Sequence, residues 1–169
     1  MCMEGKRQVG STIKPLLYSL AMENGFSPCD SVPNVEQTYV VAGKNWTPRN
    51  GSRRRYGELV SLKWGLAQSN NWISAYLMSK LNPEAFVSLL REYGIVNPEI
   101  HPSMSLCLGP CDISVGEMVS AYTAFANHGI RSAPLFVTRI EDSEGAVITH
   151  FQPRMNEVIS DESANKMLY

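Results

Sequence analysis

The sequence contains no run of eighteen apolar residues, so no segment is expected to cross a membrane as a helix. Its first residues, MCMEGKRQ, lack the apolar centre of a secretory leader. Charge of one sign is missing as well. Fifteen Lys and Arg stand against 16 Asp and Glu, and the formal charge of −1 offers no electrostatic footprint for nucleic acid or an anionic membrane surface. Cysteine is sparse: Cys2, Cys29, Cys107 and Cys111 are too few and too unevenly spaced for a disulfide scaffold. Cys107 and Cys111, with His101 upstream, match no closed zinc pattern, and neither a metal nor a cofactor is expected. Internal repeats and low-complexity tracts are also lacking. What is there is a chain of 169 residues, 44% of them apolar, enough for one domain with a real core.

Two polar knots interrupt otherwise apolar helical patterns. The first is STIKP, in which Ser11 and Lys14 are three apart and Pro15 restricts any helix to start close to Ser11. The helix STIKPLLYSLAMENG then turns Leu16, Leu17, Leu20 and Ala21 inward and ends before Gly25. From Phe26 to Gly57 the chain is rich in Pro, Asn, Gly and Ser and reads as a long irregular excursion. Helical patterning returns over GELVSLKWGLAQ and breaks at the second knot, Ser69-Asn70-Asn71. It resumes in WISAYLMSKL and restarts at Pro83 for PEAFVSLLREYG. VGEMVSAYTAFANHG is a further helix ended by Gly129, and LFVTRIED with AVITHF forms a hairpin through Ser143, Glu144 and Gly145.

Ser11 is open to two readings. It is either a helix N-cap, with Lys14 solvated in the first turn, or a nucleophile with Lys14 as its base. Positions i and i+3 share a helix face, so the amine can reach the hydroxyl. A free lysine titrates near ~10.4, and service as a base at pH 7 requires a drop of about 3 units, equivalent to ~4 kcal/mol, from burial or a second cation. Ser163 and Lys166 repeat the spacing in SANK. That pair is expected to be the accidental one, exposed on a terminal helix with no polar cluster around it. Arg53, Arg54 and Arg55 read as a solvated loop tip, and His128 as a complement to a helix C-terminus.

RQVGSTIKP resembles the active-serine segment of class A penicillin-binding proteins, and LKWGLAQSNN resembles their Ser-x-Asn segment, in the same order. WTPRNGSRRRYGELVSLKWGLAQSNN, LGPCDISVGEMVSAYTAFANHGI and TRIEDSEGAVI resemble connecting segments of the same transpeptidase domain. Of the Ser-x-x-Lys, Ser-Asp-Asn and Lys-Thr-Gly set of such enzymes, Ser11 with Lys14 and Ser69 with Asn71 match. Asn70 stands in the place of the aspartate. No Lys-Thr-Gly occurs, and the resemblance places it after VISDESANKMLY. Residues 1–169 are therefore expected to be a partial, truncated transpeptidase domain. The expected fold is α/β, the helical part of a serine β-lactamase-like domain, mostly α with a short β-hairpin near the C-terminus.

The resemblance implies a DD-transpeptidase. Ser11 attacks the carbonyl between two D-alanines of a peptidoglycan stem peptide, Lys14 takes its proton, Ser69 relays that proton and Asn71 holds Lys14 and the substrate. Stem peptides, β-lactam antibiotics and a glycosyltransferase domain of the parent chain are the implied partners. The implied location is the outer face of the bacterial cytoplasmic membrane, through an anchor outside these residues. A D-alanyl carboxypeptidase or serine β-lactamase differs only in what attacks the acyl-enzyme. A non-catalytic scaffold module has no use for a lysine facing Ser11.

Overall fold

α1 (Lys14–Glu23) is the axis on which the other helices are laid. Leu16, Leu17, Tyr18, Ser19, Leu20, Ala21 and Met22 are all buried, and a helix covered on every side belongs to the middle of a core. The computed structural model describes residues 3–169; Cys2, one of the four cysteines, lies outside the described residues. Around α1 pack α2 (Leu62–Ala67), α3 (Asn71–Leu81), α4 (Pro83–Glu92) and α6 (Asp161–Leu168). α5 (Val115–Ala126) lies against α6. Asn82 separates α3 from α4: at φ +73° it leaves the first helix, and its side-chain oxygen accepts from Glu84 N at 2.8 Å to cap the second, with Pro83 next in line. Among the described residues no helix is long and apolar enough to cross a membrane.

The strands are short and form antiparallel pairs. β1 (Lys6–Gln8) pairs with β6 (Asp112–Ser114), bringing the chain before α1 alongside the chain before α5. Ser114 then starts α5 with a capping box, its hydroxyl accepting from Glu117 N while the Glu117 carboxylate accepts from Ser114 N. β7 (Ile130–Ser132) follows α5 and pairs with β10 (Met155–Glu157). Between them lies the expected hairpin, β8 (Arg139–Glu141) with β9 (Val147–His150), turned at Asp142, whose Oδ1 accepts from Glu144 N and Ala146 N.

Three expectations are corrected. The α-helix starts at Lys14, not at Ser11, because a 3₁₀ turn over Gly10–Ile13 precedes it. The excursion from 26 to 57 is not wholly irregular: it contains β2 (Ser31–Pro33) and the hairpin of β3 (Tyr39–Val41) with β4 (Lys44–Trp46). GELVSLKWGLAQ is not all helix. Leu59–Ser61 forms β5, paired with β2, and Ser61 caps α2 by accepting from Trp64 N at 3.1 Å.

Candidate active site

Ser11 is placed by backbone contacts before and after it. Val9 N donates to Cys111 O at 3.0 Å and Gly10 N donates to Gly109 O at 3.1 Å, tying the segment to the loop ahead of β6. The approach is so close that a Cβ on Gly109 would lie 2.1 Å from Gly10 O, and Gly109 has φ +69°. Only glycine meets both conditions. On the other side Tyr122 Oη donates to Thr12 O at 2.7 Å. Ser11 itself is exposed, and neither helical segment takes a side-chain cap, so it is not an N-cap. Lys14 follows the 3₁₀ turn directly, three residues after Ser11, a spacing that puts the two on one helix face.

Lys14 is 1% exposed, at the base of the site. Its Nζ donates to Ser69 O at 2.6 Å, to Ser69 Oγ at 3.0 Å and to Asn71 Oδ1 at 2.6 Å. These three acceptors match the three N–H bonds of an ammonium. No carboxylate pairs with it among the described residues, so burial is only partly compensated and lowers its pKa to about 8. Buried Cys107 lies close by, but burial holds its own pKa up at about 12, so it is a neutral thiol rather than a counter-ion. On losing a proton the amine keeps two donors and gains a lone pair. The longest bond, to the Ser69 hydroxyl, is the one that can reverse.

The SNN turn has that shape because α2 ends abruptly. Ser69 adopts φ +49°, Ser69 N donates to Leu66 O and Asn70 N to Gly65 O, both at 2.9 Å. Asn70, 2% exposed, caps α3 by accepting from Trp72 N and Ile73 N at 2.9 and 3.1 Å. Its amide nitrogen donates to Asn34 Oδ1 at 2.8 Å, and Asn34 Nδ2 donates to Arg54 O and Arg55 O at 2.9 Å each. Asn71 N donates to Asn50 Oδ1 at 2.9 Å, Asn71 Nδ2 to Arg49 O at 2.7 Å, and Trp72 Nε1 to Pro48 O at 3.0 Å. The long excursion is thus stapled to the turn. Asn34 and Asn50 were missed in the sequence; the one available signal was the asparagines of a loop that otherwise read as featureless.

The chain matches the model of the penicillin-binding protein transpeptidase domain over residues 2–169. It belongs to that family. Penicillin-binding protein 1A of Pseudomonas aeruginosa is 31% identical over 153 residues, which are 89% of this chain and 18% of that protein. Penicillin-binding protein 2D of Bacillus subtilis is 31% identical over 163 residues, 95% of this chain and 23% of that protein. The chain thus spans about a fifth of the length of these relatives. Among solved structures, penicillin-binding protein 1A from Haemophilus influenzae superposes with a TM-score of 0.89 at 25% identity, over 98% of this chain and 29% of that one. An imipenem acyl-enzyme of penicillin-binding protein A from M. tuberculosis gives 0.85 at 18% identity, over 98% and 43%, and shares the fold.

Within this transpeptidase fold, the structure joins three of the four expected site residues, Lys14, Ser69 and Asn71, by direct hydrogen bonds. Ser11 lies three residues before Lys14 in the chain, but no hydrogen bond links its hydroxyl to Lys14 among the described residues. The accidental pair needs correction. Ser163 is buried, 2% exposed, where α6 meets α1, not on the surface. Glu23 reaches across there and accepts from Ser160 N and Oγ at 2.8 and 2.6 Å. Lys166 pairs with Glu162 at 2.6 Å instead of with Ser163. His128, just past α5, meets Asp161 at 2.8 Å rather than the helix carbonyls. Cys111 is half-buried and His101 exposed.

Proposed function

We propose that this chain is part of the transpeptidase domain of a bifunctional cell-wall synthase and that Ser11 is its nucleophile. The observation that carries the reading is the buried Lys14 amine, without a carboxylate partner, held by the SNN turn and titrating at about 8. A lysine so placed is neutral often enough at neutral pH to remove a proton from the Ser11 hydroxyl, three residues before it on the same helix face. Ser11 Oγ bonds to the carbonyl carbon between two D-alanines of a stem peptide, the hydroxyl proton passes to Lys14, and the C–N bond breaks. Ser69 Oγ, hydrogen-bonded to Lys14, relays that proton to the departing D-alanine amine. An amine of a second stem peptide then displaces Ser11. The Ser11 amide, at the start of the helical segment, is suited to hold the developing oxyanion, and one such donor contributes about 3 kcal/mol in other acyl transferases.

The match to a transpeptidase domain over residues 2–169 supports a transpeptidase over a carboxypeptidase or β-lactamase. Acyl-enzyme formation in the M. tuberculosis protein, which shares the fold, supports β-lactams as ligands of the same serine. We further propose stem peptides as substrates, a glycosyltransferase domain and a Lys-Thr-Gly strand elsewhere in the parent, and action on the outer face of the cytoplasmic membrane. The test is labelling of the parent protein with a fluorescent penicillin. Ser11→Ala abolishes labelling, and Lys14→Arg, which keeps the charge but cannot act as a base, blocks it as well. Full labelling of the arginine variant would reduce Lys14 to an electrostatic partner.

A further inference from the structure

The three consecutive arginines of the excursion are not equivalent. Arg53 pairs with Glu36 at 3.7 Å and lies over the Tyr56 ring at 5.3 Å. Arg55 pairs with Glu58 at 2.7 Å and lies over Trp64 at 5.5 Å. Arg54, between them, has neither a carboxylate nor a ring partner among the described residues. It lines a cavity of about 140 Å³ together with Asn50, Ser52, Trp64, Gln68 and Ser69. Among the described residues no acidic side chain lines this cavity.

A solvated arginine tip would need no fixed backbone, yet this one has it. Asn34, 0% exposed, holds the carbonyls of Arg54 and Arg55 with one amide group and the Asn70 amide with its oxygen. Arg55 turns at φ +54°, and Arg54 N donates to Ser52 Oγ at 3.1 Å. Asn70 is flanked by Ser69 and Asn71, so one buried amide pair sets both the turn that holds Lys14 and the backbone of Arg54. Ser69 belongs to both places: its oxygens accept from Lys14 and it forms part of the cavity wall.

We propose that this cavity is a subsite for a carboxylate of the acyl-donor peptide, with Arg54 as the specificity-determining cation. The proposal rests on the transpeptidase reading of the Lys14 cluster, because sharing Ser69 makes the occupant a part of the same substrate. Its chemistry follows from the lining. A lone guanidinium amid hydroxyl and amide groups selects an anion, and the volume accommodates a carboxylate on a short stem with a few waters, each taking about 30 Å³. One wall, Trp64, is apolar enough to cover the methylenes of that stem.

The experiment uses the parent protein and two synthetic peptides ending in D-Ala-D-Ala, identical except for one free or amidated glutamyl carboxylate in the stem. The unaltered protein should prefer the free acid by about tenfold in kcat/KM, the effect of one partly exposed charge-assisted bond, with the difference in KM rather than kcat. Arg54→Gln should bring the acid-to-amide ratio to about one, and Arg54→Lys should retain a preference, since the positive charge remains. Melting curves of both variants separate this from misfolding. Absence of a preference in the unaltered protein, or its survival in Arg54→Gln, overturns the subsite while penicillin labelling still upholds the reading beneath it. Failure of the unaltered protein to label with penicillin overturns both.

Discussion

If Lys14 is the base, the rate of acylation follows its neutral fraction, and that fraction is set by a pKa of about 8. The amine is about 9% neutral at pH 7, about 50% at pH 8 and about 91% at pH 9, so the rate should climb about tenfold over those two units. Asn71→Asp perturbs the group directly. It replaces an acceptor 2.6 Å from Nζ by a carboxylate, and an opposite charge at that range raises a lysine by about 1–3 units. The inflection should move to about 9–11, and acylation at pH 8 should fall by about fivefold or more. The assay is the second-order rate of penicillin labelling from pH 6 to 10, with the inflection as readout, because the substitution also removes the donor to Arg49 O and so alters the absolute rate. Folding stability carries the same signature. Between about 8 and the ordinary lysine value the unfolded chain binds the extra proton, so stability increases as pH rises through that window and is lowest below it. An inflection that stays put in Asn71→Asp would refute the argument that Lys14 sets the profile.

Gly109→Ala should lower stability by more than about 1–2 kcal/mol and slow labelling, because the methyl meets Gly10 O at 2.1 Å in a left-handed backbone and must push the Ser11 segment away; thermal melts and labelling rates check both effects. Asn34→Ala should cost about 1–3 kcal/mol by stranding the buried Asn70 amide and two carbonyls, and limited proteolysis should then cut the excursion between 47 and 57 sooner than elsewhere.

The parts of the molecule that could be read from the sequence are those in which neighbours in the chain carry the information. Ser11 and Lys14 stand one turn apart, and α3, α4 and α5 announce themselves by apolar spacing closed by Asn82, Gly94 and Gly129. The failures are non-local. Leu59 and Val60 look like the start of a helix because α2 follows at once, and only pairing with Pro33 and Val32 makes them a strand. Strands of three residues are too short to display alternation, so β3 and β4 were hidden in a Gly- and Asn-rich stretch. Asn34 is 36 residues from the Asn70 it binds, and nothing beside it in the chain shows that it will be buried. Ser163 looked like surface for a similar reason: its burial is created by α1, which lies at the other end of the chain.

Ser69 sits at φ +49° with a side chain that has to be there for the chemistry. A non-glycine residue in that region is disfavoured by roughly 1–2 kcal/mol, whereas glycine elsewhere in a folded chain loses only about 0.5–1 kcal/mol through its greater freedom when unfolded. Robustness and reactivity therefore pull this position in opposite directions. Ser69→Gly would relax the turn and leave Lys14 with its bonds to the main-chain oxygen and to Asn71, but no hydroxyl to pass a proton on. A library sorted for melting temperature alone should enrich glycine at 69, and the same pool should lose acylation by penicillin; enrichment of serine under that selection would mean that the bond from Lys14 to the Ser69 hydroxyl outweighs the strain of the turn.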